Sequence, residues 1–201
     1  MRTYTMKKVS SAPDWSEIPV MPIDNLLWTD SIDITAQAQL CWDEENIYIR
    51  QETVEPNIRR EETGPLARVC EDSCLEFFLR PTDRLEYFNF EMNPNLALWL
   101  GYGAGKETQA RLLVPDAEEL FDAKVEMTPK GWVLTYRVPF VFIRRFFPEF
   151  RVAEGLQIRG NCYKCGDETV KPHYLAWNPI ENDIPAFHIP TQFGCLIFGG
   201  E

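Results

Sequence analysis

The chain has no apolar run that approaches the roughly 20 residues needed for a membrane-spanning helix, so it is not expected to cross a bilayer. Its first fifteen residues, M-R-T-Y-T-M-K-K-V-S-S-A-P-D-W, carry charge but no apolar stretch. This composition excludes a secretory signal and predicts a cytoplasmic protein, or a secreted one only if an N-terminal segment has been trimmed.

Basic residues are scarce relative to acidic ones. The chain has 20 Lys and Arg against 31 Asp and Glu, which gives a formal net charge of −11. Nucleic acid and anionic membrane surfaces both require clustered positive charge, so neither is expected as a partner. The surplus of acids could instead hold a cation such as calcium, or serve solubility.

Histidine is rarer still, with two residues, and no serine lies in a G-x-S-x-G turn. Ser-His-Asp chemistry is therefore not supported, and no catalytic residue is predicted with it. The six cysteines are expected to be free buried thiols. Cys162 and Cys165 have the spacing of half a zinc site, and Cys70 and Cys74 could supply the other half. Cys74 and Cys162, however, lie in strand-like runs rather than in knuckle turns.

Helix signals are almost absent, whereas short alternating runs recur along the 201 residues. About ten such runs, separated by turn residues, predict an all-β antiparallel β-sandwich with a jelly-roll or immunoglobulin-like arrangement of two sheets. One short connector helix is predicted between Pro139 and Phe147. Residues 1–35 are expected to form an extended arm packed on the sandwich, and residues 36–201 a single domain.

The most informative stretch runs from Glu71 to Asn93 and is predicted to be a hairpin. Its apolar face combines alternate residues of both strands: Leu75, Phe77, Leu79, Phe88, Phe90 and Met92. Successive side chains on a strand point to opposite faces, so these residues are expected to face a core. The opposite face of the second strand carries Tyr87, Asn89, Glu91 and Asn93. That row is too polar for a core and too aromatic for an ordinary solvated surface.

Three strands share such a face and together predict a binding site for carbohydrate. Sugar hydroxyls both donate and accept, so they suit amides, carboxylates and guanidinium groups, while the C–H face of a pyranose packs on an aromatic ring. Trp177 is the first candidate for that ring and Trp99 the second. The other candidate contacts are Glu76, Glu91, Arg159, Asn161, Tyr87, Asn89 and Tyr163.

The same residues also fit purely structural roles. Arg159 and Glu91 could form a buried ion pair. Tyr87 and Tyr163 could pack across strands. Trp177 could plug the end of the sandwich.

Several segments resemble the family 9 carbohydrate-binding modules, best known as appendages of xylanases, and free-standing bacterial proteins that share the domain. They are A-x-L-C-W-D-E-E-N-I-Y-I from Ala38, E-D-S-C-L-E-F-F-L-R-P, Y-F-N-F-E-M-N, G-W-V-L-T-Y-R-V-P, L-Q-I-R-G-N-C-Y, A-W-N-P and F-H-I-P-T-Q-F-G-C-L-I-F. Their order and spacing over about 160 residues make the set specific. The resemblance implies a β-sandwich that binds the ends of glycan chains, often with structural calcium.

The resemblance carries over unevenly to individual residues. It matches Trp177 to one of two tryptophans that sandwich a sugar, and Glu76 to a glutamate that binds sugar hydroxyls. The second tryptophan would fall at Cys70, and Glu91 lies near a ligand-contacting arginine of the family. Xylanase-type polysaccharide binding is therefore in question, and another sugar or small polar ligand is an alternative.

Further alternatives concern cations and catalysis. Glu71 and Asp72 are candidate calcium ligands, and residues 181–183 form a second acidic group. Glu76 and Glu91 could act as the carboxyl pair of a glycoside hydrolase, although no hydrophobic pocket that raises a pKa is evident from the sequence. A haem site would use Met92 with His173 or His188.

Overall fold

The computed structural model describes residues 1–30 and 32–200, which form fourteen strands and two α-helices. The strands are β1 (Thr3–Lys8), β2 (Met21–Ile23), β3 (Asn25–Leu27), β4 (Thr35–Trp42), β5 (Asn46–Val54), β6 (Cys74–Arg80), β7 (Tyr87–Met92), β8 (Leu98–Gly103), β9 (Ala110–Arg111), β10 (Lys124–Thr128), β11 (Gly131–Pro139), β12 (Gln157–Gly166), β13 (His173–Ala176) and β14 (Gly194–Phe198). The helices are α1 (Ala117–Phe121) and α2 (Phe140–Phe146).

The strands form two layers, which confirms the predicted β-sandwich. One layer, here the site sheet, has the order β14-β12-β6-β7-β8-β9, with β13 beside β12 and β3 beside β13. The other, the back sheet, has the order β10-β11-β5-β4, with β2 beside β4. β1 joins them, because its first residues pair with β14 and its last with β4. Both β1 pairings are parallel, whereas the other pairs are antiparallel as predicted.

The three strands within residues 1–35 are therefore part of the sheets. β1 lies between the layers' edges, β2 extends the back sheet and β3 extends the site sheet. This segment contributes core side chains, including Tyr4, Met6 and Met21. The predicted arm is thus an integral edge of the sandwich in the part that the structure describes.

The main core lies between the two sheets and is rich in aromatic side chains. The predicted apolar face of the β6–β7 hairpin is confirmed, because all of its members belong to this core: Leu75, Phe77, Leu79, Phe88, Phe90 and Met92. β11 contributes Trp132 and Leu134 from the back sheet. Alternation along each strand sends every second side chain into this layer.

A second apolar cluster lies on the outer face of the site sheet. Its members are Ala67, Val69, Cys74, Phe78, Tyr87, Ala97, Tyr163, Cys165, Ala176, Ile180, Phe187 and Phe193. Two loops, which contain residues 67–70 and 180–193, cover this face, so β6 is buried on both sides. This double burial explains why C-L-E-F-F-L is almost continuously apolar, and it creates a walled surface on the outer side of the sheet.

The predicted connector helix is confirmed as α2, which follows Pro139 and ends one residue before Phe147. A proline at the helix boundary suits the first turn, where its missing N–H has no partner to lose. α1 was not predicted, because its five residues are too few for a periodic pattern. Among the described residues, no helix is long and apolar enough to cross a membrane.

One ionic cluster is fully buried on the interior face of β12. Lys164 Nζ lies 3.3 Å from Glu55 Oε1, 2.8 Å from His173 Nε2 and 2.9 Å from the carbonyl of Cys165. Burial, with the nearby Lys164, lowers the pKa of His173 to about 4, so the ring is neutral. Its Nδ1 lies 2.9 Å from the Lys171 carbonyl, so both ring nitrogens have protein partners and neither is left for a haem iron.

We predict that Glu55→Gln lowers the free energy of unfolding by about 3 kcal/mol, because it leaves the Lys164 ammonium buried without a counter-charge. The double variant Glu55→Gln/Lys164→Met should recover most of this loss, since it removes both charges together. Urea denaturation of the parent, Glu55→Gln, Lys164→Met and the double variant measures the free energy of unfolding of each. A Glu55→Gln variant as stable as the parent would show that the pair does not act as a charge-compensated unit.

Candidate functional site

A cleft of about 480 Å³ opens on the outer face of the site sheet. It is lined by residues of β6, β7, β8, β12 and β13, of the loops that flank them and of the loop after β3: Trp28, Arg68, Cys70, Glu76, Glu91, Trp99, Lys106, Gln109, Cys165, Asp167, Tyr174, Pro185, Ala186, Phe187 and His188. Its volume falls in the range of small-molecule sites, roughly 300–1,000 Å³.

Two carboxyl groups form the floor of this cleft. Glu76 and Glu91 are direct partners across the antiparallel strands β6 and β7. Residues so placed have Cβ atoms about 4.5–5.5 Å apart on the same face. Their exposed fractions are 2% and 6%, so both acids are buried although both line the cleft.

The hydrogen bonds of the floor leave acceptor capacity unused. Asn89 Nδ2 donates to Glu91 Oε1 over 2.7 Å, and the Cys165 thiol donates to Glu76 Oε1 over 2.9 Å. Glu76 Oε2 and Asn89 Oδ1 are buried without a hydrogen-bond partner among the described residues. An unsatisfied buried acceptor is costly, so Glu76 Oε2, which belongs to a residue that lines the cleft, indicates a position for a ligand's donor.

Burial and mutual repulsion hold protons on this floor. Burial raises the pKa of Glu91 to about 7, although the Asn89 amide and Arg111 partly oppose the shift. The pKa of Glu76 is raised well above its usual range by burial and then by the neighbouring Glu91. Near neutral pH the pair can therefore present both a carboxylic acid and a carboxylate, that is, one donor and several acceptors.

Aromatic rings form the walls. On the β8 side, Trp99 lies beside Glu91 in strand register, and the Arg111 guanidinium lies 3.9 Å from the centroid of its ring. On the opposite side of the floor, Trp28 packs edge-on against Tyr174 at 5.6 Å and against Phe187 at 5.7 Å. Each wall is anchored by such contacts, so the rings are held in place without a ligand.

The backbone at Trp28 supports a functional role for this wall. Trp28 has φ of 52°, a left-handed conformation that is unusual for a bulky side chain. The indole Nε1 donates to the carbonyl of Asn182 over 2.6 Å, which ties the ring to the loop after β13. Trp28 lines the cleft, so the strained backbone at this residue places an aromatic ring there.

The structure brings together part of the predicted site. Glu76, Glu91 and Trp99 line the cleft, and Asn89 supports Glu91 from below. The other predicted members of this face lie beneath the lining and are buried: Tyr87, whose hydroxyl is 2.7 Å from His188 Nδ1, and Tyr163, which stacks on Phe187 at 4.2 Å. Both tyrosines also pack across strands on Phe78 of β6, at 5.6 and 4.9 Å between ring centroids, as the structural alternative predicted.

The prediction that Trp177 is an exposed platform is wrong. Its side chain is 3% exposed and belongs to the core between the sheets. The reason is strand parity: the Trp177 N–H bonds the carbonyl of Cys162, whose side chain faces that core, so alternation after Ala176 turns the indole inward. The fit is tight, because a Cβ added at Gly194 would lie 2.3 Å from the indole ring.

The predicted contacts Asn161 and Arg159 lie outside the cleft. Asn161 is buried and ties two segments together, since its Oδ1 accepts from the N–H of Asn178 over 2.8 Å and its Nδ2 donates to the Asn178 carbonyl. Arg159 lies four residues before Tyr163, opposite Arg80 and Cys195. It does not form the alternative ion pair with Glu91 among the described residues. Neither residue reaches the floor because β12 places them about 7–14 Å along the strand from Tyr163.

Glu71 and Asp72, the predicted calcium ligands, both have protein partners. The Asp72 carboxylate accepts from four N–H donors: the Arg59 guanidinium, the backbone of Glu61 and Glu62, and the Asn93 amide. Glu71 pairs with Arg68 at 2.6 Å. The oxygens of Asp72 thus serve to hold the loop before β6 rather than to coordinate a cation.

The sequence did not reveal the wall opposite Trp99, which is formed by Trp28, Tyr174 and Phe187, or the floor residue Cys165. Cys165 lies two residues beyond Tyr163, and the alternation of β12 continues to it in the structure. Tyr174 could have been found in the same way if H-Y-L-A had been interpreted as strand β13. Trp28 and Phe187 lie in loops, where no periodic signal predicts which way a side chain points.

Comparison with known proteins places this geometry in context. The model of the family described as carbohydrate-binding family 9 matches residues 7–198. No curated protein matches the chain.

Solved structures share the fold. A protein from Bacteroides uniformis ATCC 8492, provisionally described as carbohydrate-binding, is similar with a TM-score of 0.83 and 27% identity over 98% of this chain and 99% of that one. A family 9 module from Caldicellulosiruptor kristjanssonii in complex with cellotriose has a TM-score of 0.69 and 14% identity, over 100% of this chain and 95% of that one. Its complex with glucose gives 0.70 and 13%, over 100% and 97%.

We predict that Trp177→Ala lowers the free energy of unfolding by about 3–5 kcal/mol, because it empties a large volume in the main core. Trp99→Ala, at the partly exposed wall, should cost about 1 kcal/mol or less. Chemical denaturation of both variants measures the difference. Equal and small losses would contradict the inward orientation of Trp177.

We also predict a pH-dependent gain in stability for Glu91→Gln. The pKa of Glu91 is about 7 in the fold against 4.5 as its ordinary value, so the folded state binds the extra proton and loses stability as pH rises through this interval. The amide does not ionise, so the variant should match the parent near pH 4.5 and exceed it by about 1–3 kcal/mol near pH 8.

Unfolding curves of parent and variant at several pH values test this directly. The exposed Glu126→Gln on β10 is the matched control and should show no such pH-dependent difference. A stability difference between Glu91→Gln and the parent that is constant with pH would contradict the raised pKa.

Proposed function

We propose that this chain, which belongs to carbohydrate-binding family 9, binds a mono- or oligosaccharide, or the end of a glycan chain, without cleaving it. Membership rests on the match over residues 7–198. The observation that carries the proposal for this chain is the cleft itself, with two buried carboxyl groups on its floor and aromatic rings on its walls.

The floor suits sugar hydroxyls. A hydroxyl can donate to Glu76 Oε2, which has no partner among the described residues, and can accept from whichever carboxyl of the pair holds a proton. Hydrogen bonds to a charged acceptor are stronger than neutral ones, which favours hydroxyl groups over water at this position. The two acids thus give direction and specificity to a small polar ligand.

The walls suit the apolar face of a sugar ring. Trp99 and Trp28 both line the cleft. Trp99 is held by Arg111 and Trp28 by Tyr174. These walls take the place of the two tryptophans that the resemblance led us to expect at Trp177 and Cys70. Cys70 itself lines the cleft and leaves room there rather than forming a platform.

The similar structures support the ligand class. The Caldicellulosiruptor kristjanssonii module is described in complexes with cellotriose and with glucose. Their identity to this chain is 14% and 13%, so they indicate the fold and supply suitable probes rather than the specificity of this cleft.

Glycoside hydrolysis is the second candidate, and one observation favours it. Contrary to the expectation from sequence, burial does raise the pKa of both Glu76 and Glu91, as an acid catalyst requires. The two carboxyls, however, lie side by side on one floor rather than on either side of a bond to be cleaved. Release of nitrophenol from aryl glycosides, abolished by Glu76→Gln, would establish hydrolysis.

We predict that glucose or cellotriose binds the protein and that Glu76→Gln and Trp99→Ala each weaken binding at least about tenfold. The first removes a carboxyl group from the floor and the second an aromatic ring from the wall. Isothermal titration calorimetry with these sugars, and with a panel of other mono- and oligosaccharides, measures the affinities.

Trp15→Ala is the matched control, because Trp15 is partly buried but lies outside the cleft, and it should leave affinity unchanged. Absence of binding to every sugar of the panel by the folded parent protein would reject the proposal. Equal affinity of the Trp99→Ala, Glu76→Gln and control variants would place the ligand elsewhere.

A further inference from the structure

The floor carboxyls differ from the other buried acids in their lack of a cation. Four acids are buried among the described residues: Glu55, Asp72, Glu76 and Glu91. Glu55 pairs with Lys164, and Asp72 with Arg59. Glu76 and Glu91 form no ion pair within 4 Å among the same residues, and each instead faces the other.

The basic side chains around Glu76 and Glu91 have other partners or are exposed. Arg111 donates to the carbonyl of Ala67 over 2.9 Å and lies over Trp99, while Arg68 pairs with Glu71. Lys164 lies on the opposite face of β12, where its ammonium contacts Glu55. Lys106 is exposed at the rim. Arg111 lowers the pKa of Glu91 and Lys164 lowers that of Glu76, but neither base forms an ion pair with the floor among the described residues.

The remaining titratable groups around the floor add negative charge or none. Asp167 raises the pKa of both Glu76 and Glu91, and burial lowers the pKa of His188 to about 4, so that ring is neutral. The other neighbours keep their protons at neutral pH, because their pKa values are raised: Cys70, Cys74, Cys165, Tyr87, Tyr163 and Tyr174. A ligand that brings one positive charge would complete the site electrostatically.

The walls also favour a cation. Aromatic faces attract ammonium groups, by about 0.5–1 kcal/mol when exposed and about 2 kcal/mol when water is excluded. Trp28, Tyr174 and Phe187 are grouped on one side of the acidic floor. Rings and carboxylates together form the kind of site that accepts a protonated amine, whose three N–H donors match the free acceptors of the floor.

We propose that the preferred ligands of this cleft are amino sugars with a free, protonated amine, seated with the ammonium on Glu76 and Glu91. This inference rests on the proposed carbohydrate binding and specifies its ligand class. A neutral sugar gains only hydrogen bonds from the floor, whereas an amino sugar also supplies the missing counter-charge. Binding of the ammonium displaces the proton held by the pair, which passes to solvent, so the affinity for the amine depends on pH.

Titration calorimetry with glucosamine, glucose and N-acetylglucosamine tests the inference, because the three differ at a single position of one ring. Glucosamine should bind at least about tenfold more tightly than the other two near pH 7, where the pair is partly ionised. The advantage should shrink towards parity near pH 5, where both carboxyls hold protons.

Two variants localise the effect. Glu91→Gln should reduce the glucosamine-to-glucose affinity ratio to near one, because it removes a negative charge and keeps the shape. Glu126→Gln, an exposed acid on the back sheet, should leave the ratio as in the parent. A ratio unchanged by Glu91→Gln would overturn the assignment of the ammonium to this floor.

The outcomes separate the inference from the function on which it rests. Equal binding of glucose and glucosamine at both pH values rejects the amino-sugar class and leaves carbohydrate binding intact. The same conclusion follows if N-acetylglucosamine exceeds glucose in affinity by as much as glucosamine does. No binding of any sugar rejects both.

A metal ion is the competing cation, because the ligand atoms of Cys74, Glu76 and Cys165 all lie within 4.8 Å of one another. Titration with zinc alone tests this competitor. If zinc binds, Cys165→Ser abolishes its binding and glucosamine shows no advantage, the amino-sugar inference is rejected in favour of a metal site.

Discussion

Side-chain alternation along β6, β7 and β12 is the constraint on which the rest of this structure depends. These strands are buried on both faces, so each residue is assigned either to the core between the sheets or to the cluster beneath the cleft. A shift of one residue in register would exchange the two sets and place Phe77 in the cleft and Glu76 in the core. The pairing of Glu76 with Glu91 follows from the same register, since direct partners across antiparallel strands point to the same side.

That placement has an energetic cost that the protein does not offset within itself. Glu55 and Asp72 are buried with basic partners, whereas Glu76 and Glu91 are buried with each other. Burial raises the pKa of both acids, and the neighbouring Glu91 raises that of Glu76 further, so the pair holds protons. A structure that only needed stability would have apolar side chains at these positions, as it has at Phe78 next to Glu76 on β6. The floor is therefore best understood as a surface prepared for a ligand.

The sequence predicted the parts of the molecule in which a periodic pattern determines the structure. The β6–β7 hairpin, the short helix α2 and the apolar face of Leu75, Phe77 and Phe90 were accessible from alternation and turn residues alone. Glu76 and Glu91 were found because they lie on the polar side of the same hairpin, and Trp99 was named as the second candidate aromatic ring. Trp177 was misplaced because H-Y-L-A was interpreted as loop, so the parity that turns the indole inward was not applied. Trp28 and Phe187 could not be predicted, because tertiary contacts of loops position them, such as the hydrogen bond of Trp28 with Asn182, 154 residues away.

We propose that sugar binds on the outer face of the site sheet, over Glu76 and Glu91. A crystal structure of the protein grown with glucose tests it most directly. We expect sugar density between Trp99 and the wall of Trp28 and Tyr174, with ring hydroxyls at hydrogen-bonding distance from Glu76 Oε2 and from the carboxyl group of Glu91. Density for the sugar on another face of the sandwich, with this cleft filled only by water, would contradict it.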